Sequence, residues 1–180
     1  MAIDNSNINN TLPYGGEFTV IDVDNEKLSD PKTREKINTL LEAAETKICL
    51  SSNLSENFYK HEDVKKVFIN AVKNKKNIQL LIEPSTKWSK ENLETSWLVE
   101  LAENNKKVFQ VNRSFDDVPH WIIVDDNHIR IEDEHKNDAT KVSNSIIYNT
   151  KTQRDDKTKL FMNVILKTFE KWWFESSSVL

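Results

Sequence analysis

The chain has 180 residues, of which 30% are charged and 37% hydrophobic, a balance that suits one globular domain with a sizeable core. Its net charge of −4 supplies no overall attraction to nucleic acid or to an anionic membrane. Two glycines are too few for Gly-rich phosphate loops or a many-turned β-barrel, because both need positive backbone dihedrals or close backbone approach.

Residues 1–16 read as a disordered tail, polar and Asn-rich, without the basic-then-apolar order of a signal peptide. Phe18–Val23 has strand composition, and Asp22 and Asp24 read as turn or cap residues. Asp30-Pro31 supplies a helix cap with proline at the first helical position. Ile37, Leu40, Leu41 and Ala44 then recur at helical spacing. Lys47–Ser52 is a short apolar run of buried-strand type. It contains the chain's one cysteine, Cys49, so no intrachain disulfide forms; a buried packing role and a reducing cytoplasmic setting are expected.

A second helix is signalled by Val64, Val67, Phe68, Ala71 and Val72. His61 at its start is expected to be exposed, and Lys65, Lys66, Lys73, Lys75 and Lys76 form a solvated face and turn. Ile78–Ile82 is another apolar strand, closed by Pro84. A third helix is predicted over Ser89–Glu103 with Leu93, Trp97, Leu98 and Leu101 inward. Val108–Val111, His120–Val124, His128–Glu132 and Ser145–Tyr148 read as strands. A long helix over Asp155–Glu175 ends the chain, and no apolar stretch approaches the roughly 20 residues of a membrane span. Of its tandem Trp172-Trp173, either one covers the sheet while the other supports a dimer contact, or both are partly buried in one monomer. Strands alternating with helices predict an α/β fold: a mixed, largely parallel β-sheet flanked by helices on both faces, as one domain over 17–176.

The segment His120–His135 holds three of the four histidines. With Asp125–Asn127 as a hairpin loop, Val124 faces His128, Ile122 faces Arg130 and His120 faces Glu132. Strand period two then sets His120, His128, Arg130 and Glu132 on one face, and Trp121, Ile123, Ile129 and Ile131 on the other. Two imidazoles, a guanidinium and a carboxylate suit recognition of an anion. A solvated hairpin face explains the same pattern. A metal site from His120, His128, His135 and Asp125 matches no closed zinc spacing, so no metal or cofactor is expected.

The order of Leu40–Leu50, Val67–Ile82 and His120-Trp-Ile-Ile-Val-Asp-Asp126 resembles the phospholipase D superfamily, as does the closing Phe169-Glu-Lys-Trp-Trp173. The resemblance runs from about residue 17 to 175. It implies an α/β half-domain whose signature strand carries a nucleophilic histidine and, two residues on, a phosphate-holding lysine. Matching Ile123-Val124-Asp125 to the family's Ile-Val-Asp places His120 at the lysine and Val118 at the nucleophile. Matching His120 to the nucleophile leaves Ile122 at the lysine. Either register lacks an essential group, since valine cannot attack phosphorus and isoleucine cannot neutralise a phosphoryl oxygen.

The segment is also similar to degenerate archaeal domains of this superfamily, whose pattern His120, Asp125, His128, Arg130, Glu132 and His135 all fit. Such domains accompany helix-turn-helix segments in regulators; residues 1–16 are too short and polar to form one, so a DNA-reading role is not expected. The resulting expectation is a catalytically inactive binding or regulatory module, cytoplasmic and homodimeric. It would recognise an anionic or phosphorylated small molecule, or a protein partner, through those six residues. The rivals are a dimeric phosphodiesterase or nuclease using His120 and Arg130, and an assembly module working through Trp172 or Trp173.

Overall fold

In a computed structural model, residues 17–21, 31–126, 128–132, 145–149 and 156–180 are described. The expected tail and His135 lie outside them. The strands are β1 (Glu17–Ile21), β2 (Lys47–Ser52), β3 (Asn77–Ile82), β4 (Phe109–Arg113), β5 (Trp121–Val124), β6 (His128–Glu132), β7 (Ser145–Asn149) and β8 (Ser177–Ser178). They form one sheet in the order β1-β7-β6-β5-β2-β3-β4-β8. The helices are α1 (Pro31–Glu42), α2 (Glu56–Tyr59), α3 (Glu62–Lys73), α4 (Ser96–Asn104) and α5 (Asp156–Glu175).

The sheet is mixed and covered on both faces, but its parallel share is smaller than expected. Only β2–β3 and β3–β4 are parallel, while the other five pairings are antiparallel. Parallel neighbours need a crossover long enough to return the chain, and α2–α3 and α4 supply those two. The turn after Val124 is too short for a crossover and forces β6 back along β5.

Strand alternation builds two cores. Ile48, Leu50, Ile78, Leu80, Ile82, Phe109, Val111, Ile122 and Val124 pack with α1, α3 and α4. Cys49, Leu81, Trp121, Ile123 and Ile129 face the other way, onto Met162, Ile165 and Phe169 of α5. Burial pushes the Cys49 thiol up to about 11, which keeps it an unreactive packing group.

The helix signals of α1 and α3 translate directly. Pro31 heads α1. The apolar stripe of α3 is wholly buried, and acidic Glu62 and Asp63 open a helix whose last turn holds Lys73, matching the macrodipole. His61 corrects one expectation, being half-buried at the N-terminus of α3. Burial, followed by the Arg34 charge, holds its imidazole below the ordinary range.

The third helix begins later than expected, at Ser96, and Leu93 is 87% exposed rather than inward. The Ser89 hydroxyl captures the Glu91 N–H and the Asn92 side chain captures the Glu94 N–H, so local turns replace the first helical bonds. Trp97 and Leu101 remain against the core, and Leu98 is fully buried. At the chain's end the ordered structure passes residue 176. β8 pairs with β4, Val179 donates to Val111, and Val179 and Leu180 pack on the first core.

Trp172 and Trp173 both pack against the second core, Trp172 with its ring centroid 4.6 Å from that of Trp121 and Trp173 stacked on Phe169. The exposed apolar groups of α5 are instead Leu160, Val164 and Phe174. No helix among the described residues is long and apolar enough to cross a membrane.

Candidate ligand-binding site

The polar residues of interest gather because β5 runs antiparallel to β2. Its amino end, with His120 just before it, therefore meets the carboxyl ends of β2 and β3. The hairpin register is the expected one, with Val124 opposite His128, Ile122 opposite Arg130, and the Glu132 N–H donating to the His120 carbonyl at 3.1 Å. Glu132 thus arrives at the same end as His120. Loops beyond the carboxyl ends of parallel strands are where α/β sheets leave room for ligands. A cleft opens there between Ser52, Tyr59, His120, Ile122, Arg130 and Glu132.

Arg130 and Glu132 are 4% and 2% exposed, and Arg130 Nη2 donates to Glu132 Oε2 at 2.7 Å. His120 lies between two carboxylates, with Nε2 2.8 Å from Glu83 Oε1 and Nδ1 3.8 Å from Glu132 Oε2. The cluster therefore sets one guanidinium and one imidazole against two carboxylates. Arg130 Nε is buried and has no hydrogen-bond partner among the described residues.

Backbone ties hold these groups from behind. The Ser51 hydroxyl donates to the Pro119 carbonyl and accepts the Trp121 N–H, bridging the peptides on either side of His120. At the end of β2, the Ser52 hydroxyl oxygen accepts from the Leu54 N–H at 3.0 Å and from the Tyr59 hydroxyl at 3.3 Å. Burial pushes that phenol up to about 12, so it stays a neutral donor. Leu54 takes φ 57°, a left-handed conformation that costs a branched residue about 1–2 kcal/mol. Its burial in the first core and the Ser52 and Asn53 turns around it hold that geometry beside the cleft.

Of the residues singled out from the sequence, the structure brings His120, Arg130 and Glu132 together. His128 is buried on their face, at the far end of the hairpin beyond Arg130. Asp125 stands apart from the cluster, at the turn that abuts the amino end of β2. Its carboxylate accepts the Thr46 N–H at 2.8 Å, the Thr46 hydroxyl at 2.7 Å and the Lys47 N–H at 2.7 Å, as well as the Glu45 N–H. Asp125 is a cap for the entry to β2, and its own φ of 47° is one that aspartate tolerates in a tight turn. Val118, a candidate nucleophile position, packs in the second core. No group of three His, Cys, Asp or Glu side chains among the described residues is placed so that it could hold a metal ion.

Burial pushes the Asp125 carboxyl up, but the donors from Glu45, Thr46 and Lys47 outweigh it and hold the group below the usual aspartate range. A depressed folded-state pKa contributes stability above the unfolded-state value and loses it as pH falls through the folded-state one. Asp125→Ala should therefore destabilise by about 2 kcal/mol at pH 7, the scale of hydrogen bonds to a charged group, and by less near pH 3, where the loss has begun. Urea denaturation of both proteins at the two pH values measures this, and a pH-independent difference would refute it.

Sequence reading missed Glu83, which sits between an apolar strand and Pro84 and looks like a solvated turn residue. Its only sequence signal is its place immediately after a buried parallel strand. Arg113 was missed because its side chain acts on carbonyls 27–30 residues away, and Ser52 and Tyr59 because a hydroxyl pair closing a turn carries no periodic signal.

No family model and no curated protein matches the sequence. Solved structures do match the fold. TrmBL2, an archaeal chromatin protein with a novel mode of DNA binding, is similar at TM-score 0.61 and 13% identity over 96% of this chain and 57% of its own. The phospholipase D family member Nuc from Salmonella typhimurium is similar at TM-score 0.59 and 12% identity, over 90% of this chain and 95% of its own. Phosphatidylserine synthase from Haemophilus influenzae Rd KW20 is similar at TM-score 0.60 and 13% identity, over 93% of this chain and 41% of its own. This chain thus spans little more than half of TrmBL2, and identities this low speak to the fold alone.

Proposed function

We propose that this phospholipase D-like fold serves as a non-catalytic binding module, whose ligand presents an acceptor oxygen of an acidic group to Arg130 in the cleft. The observation that carries this reading is Arg130 Nε: a buried guanidinium nitrogen of a residue that lines the cleft, without a partner among the described residues. Leaving a buried donor unsatisfied costs about 1–3 kcal/mol, which a ligand oxygen would recover. The Glu132 carboxylate on the same guanidinium limits the ligand's charge. Like unit charges about 5 Å apart at an effective dielectric of about 20 repel by about 3 kcal/mol, so a monoanion is favoured over a phosphoryl dianion.

Catalysis is disfavoured by the same geometry. A phosphohistidine mechanism needs an imidazole lone pair aimed at phosphorus and a cation holding the phosphoryl oxygens. With His120 Nε2 engaged at 2.8 Å by Glu83, the imidazole lone pair would fall to Nδ1, which lies 3.8 Å from the anionic Glu132 Oε2, and Ile122 rather than a cation stands two residues on. Calorimetric titration with acetate and with inorganic phosphate tests the binding reading. Saturable binding of acetate should weaken at least about tenfold in Arg130→Lys, which keeps the charge but lacks Nε. No saturation in the wild type, or equal affinity in the variant, would sink it. Turnover of an activated phosphodiester that disappears in His120→Ala would replace it with the enzyme reading.

A further inference from the structure

We infer that Arg113, three strands away from β5 across the sheet, is the positioning residue of the cleft: it fixes the loop that presents Glu83, and through Glu83 the orientation of the His120 ring. The inference rests on the cleft being the binding site, but its test reads His120 directly and needs no ligand.

Arg113 ends β4, paired with Ile82 on β3 and with Ser177 on β8. Its side chain turns back over the end of β3, where Nη1 is shared among three carbonyl oxygens: Glu83 at 3.1 Å, Pro84 at 2.8 Å and Thr86 at 2.8 Å. Three converging carbonyls in one short turn would repel one another without a cation, and Pro84 offers no N–H of its own to the turn. The guanidinium is planar, and Nη1 shares its two hydrogens among the three oxygens, which draws the turn together around one cationic group. Further ties meet it. The Thr86 N–H donates to the Glu83 carbonyl at 3.1 Å, the Ser114 N–H to Ile82 at 2.9 Å, and the Glu83 N–H points to Ser52 at 3.4 Å.

Glu83 is therefore fixed at its backbone, and its carboxylate has a defined place from which to hold His120 Nε2 at 2.8 Å. The Ser51 hydroxyl fixes the main chain on both sides of His120. Main chain held from β2 and ring held from β3 together define where the imidazole lies. Loosening the Arg113 clamp lets Glu83 wander while the Ser51 tie remains, so the ring loses the Glu83 bond at Nε2 without losing its place in the chain.

Ring-labelled histidine NMR on the full chain tests this. The wild type should show a slowly exchanging low-field imidazole N–H, assigned to His120 by its absence in His120→Gln. In Arg113→Met its exchange should quicken at least about tenfold, the loss of one charge-assisted hydrogen bond, and Arg113→Lys should fall between the two. The double variant Arg113→Met with Glu83→Gln should match Glu83→Gln alone, because residues acting in series are not additive. A folded Arg113→Met with the wild-type signal, or additive effects in the double variant, would overturn the inference. If Arg113→Met does not fold, a wild-type signal in Arg113→Lys would do so. Arg130-dependent acetate binding with an unaltered His120 signal would keep the binding reading and discard this one. An Arg113-dependent signal without acetate binding would do the reverse.

Discussion

Replacing Glu132 with alanine should lower the unfolding free energy by about 3–5 kcal/mol, whereas replacing the pair together, Arg130→Met with Glu132→Leu, should bring it back to within about 1–2 kcal/mol of wild type. Both side chains are almost wholly withdrawn from water, and their mutual bond of 2.7 Å offsets part of the loss of hydration. Removing the carboxylate leaves a guanidinium in a low-dielectric site with Nε already lacking a partner. The apolar pair carries no such penalty and faces Leu50 and Ile122, which line the same cleft. The two variants also separate stability from function, since the apolar pair should fold and yet bind no acetate. Urea denaturation provides the energies, and a cost below about 1 kcal/mol for Glu132→Ala would mean that the pair is hydrated rather than buried.

A second large effect lies on the opposite face. Phe169→Ala should cost about 3–5 kcal/mol, while Phe174→Ala, five residues along the same helix, should change stability by no more than about 0.5 kcal/mol. Phe169 is fully buried against the sheet and stacks on Trp173, whereas Phe174 is 90% exposed. Within the described residues α5 is the helix that covers this face, so a cavity there has no second layer to collapse into it. Equal costs for the two variants would show that α5 is turned about its axis relative to the packing described above.

Much of the fold was legible in the sequence because the signals are local and periodic. The short apolar run at Lys47–Ser52 and the near-continuous one at Ile78–Ile82 became the paired central strands β2 and β3. The stripe from Val64 to Val72 became the buried face of α3. The hairpin was readable to the residue, because a three-residue loop and period-two alternation leave a single register that keeps Trp121, Ile123 and Ile129 on the apolar side. The start of α4 was not, because the helical spacing of Leu93 with Trp97 competes with turns closed by Ser89 and Asn92 that cost no burial.

Composition and periodicity by themselves determined the α/β class, the strands β1 to β7, and the placing of His120, Arg130 and Glu132 on one face. Only the tertiary structure decided that Glu83 joins them, that Asp125 caps β2 instead, and that Arg113 donates to the carbonyls of the turn after β3. Strand alternation is a property of neighbouring residues and is written into any short stretch of chain. Which strand lies beside which, and so which side chains separated by 30 or more residues share a cleft, follows from how the whole chain buries its apolar faces.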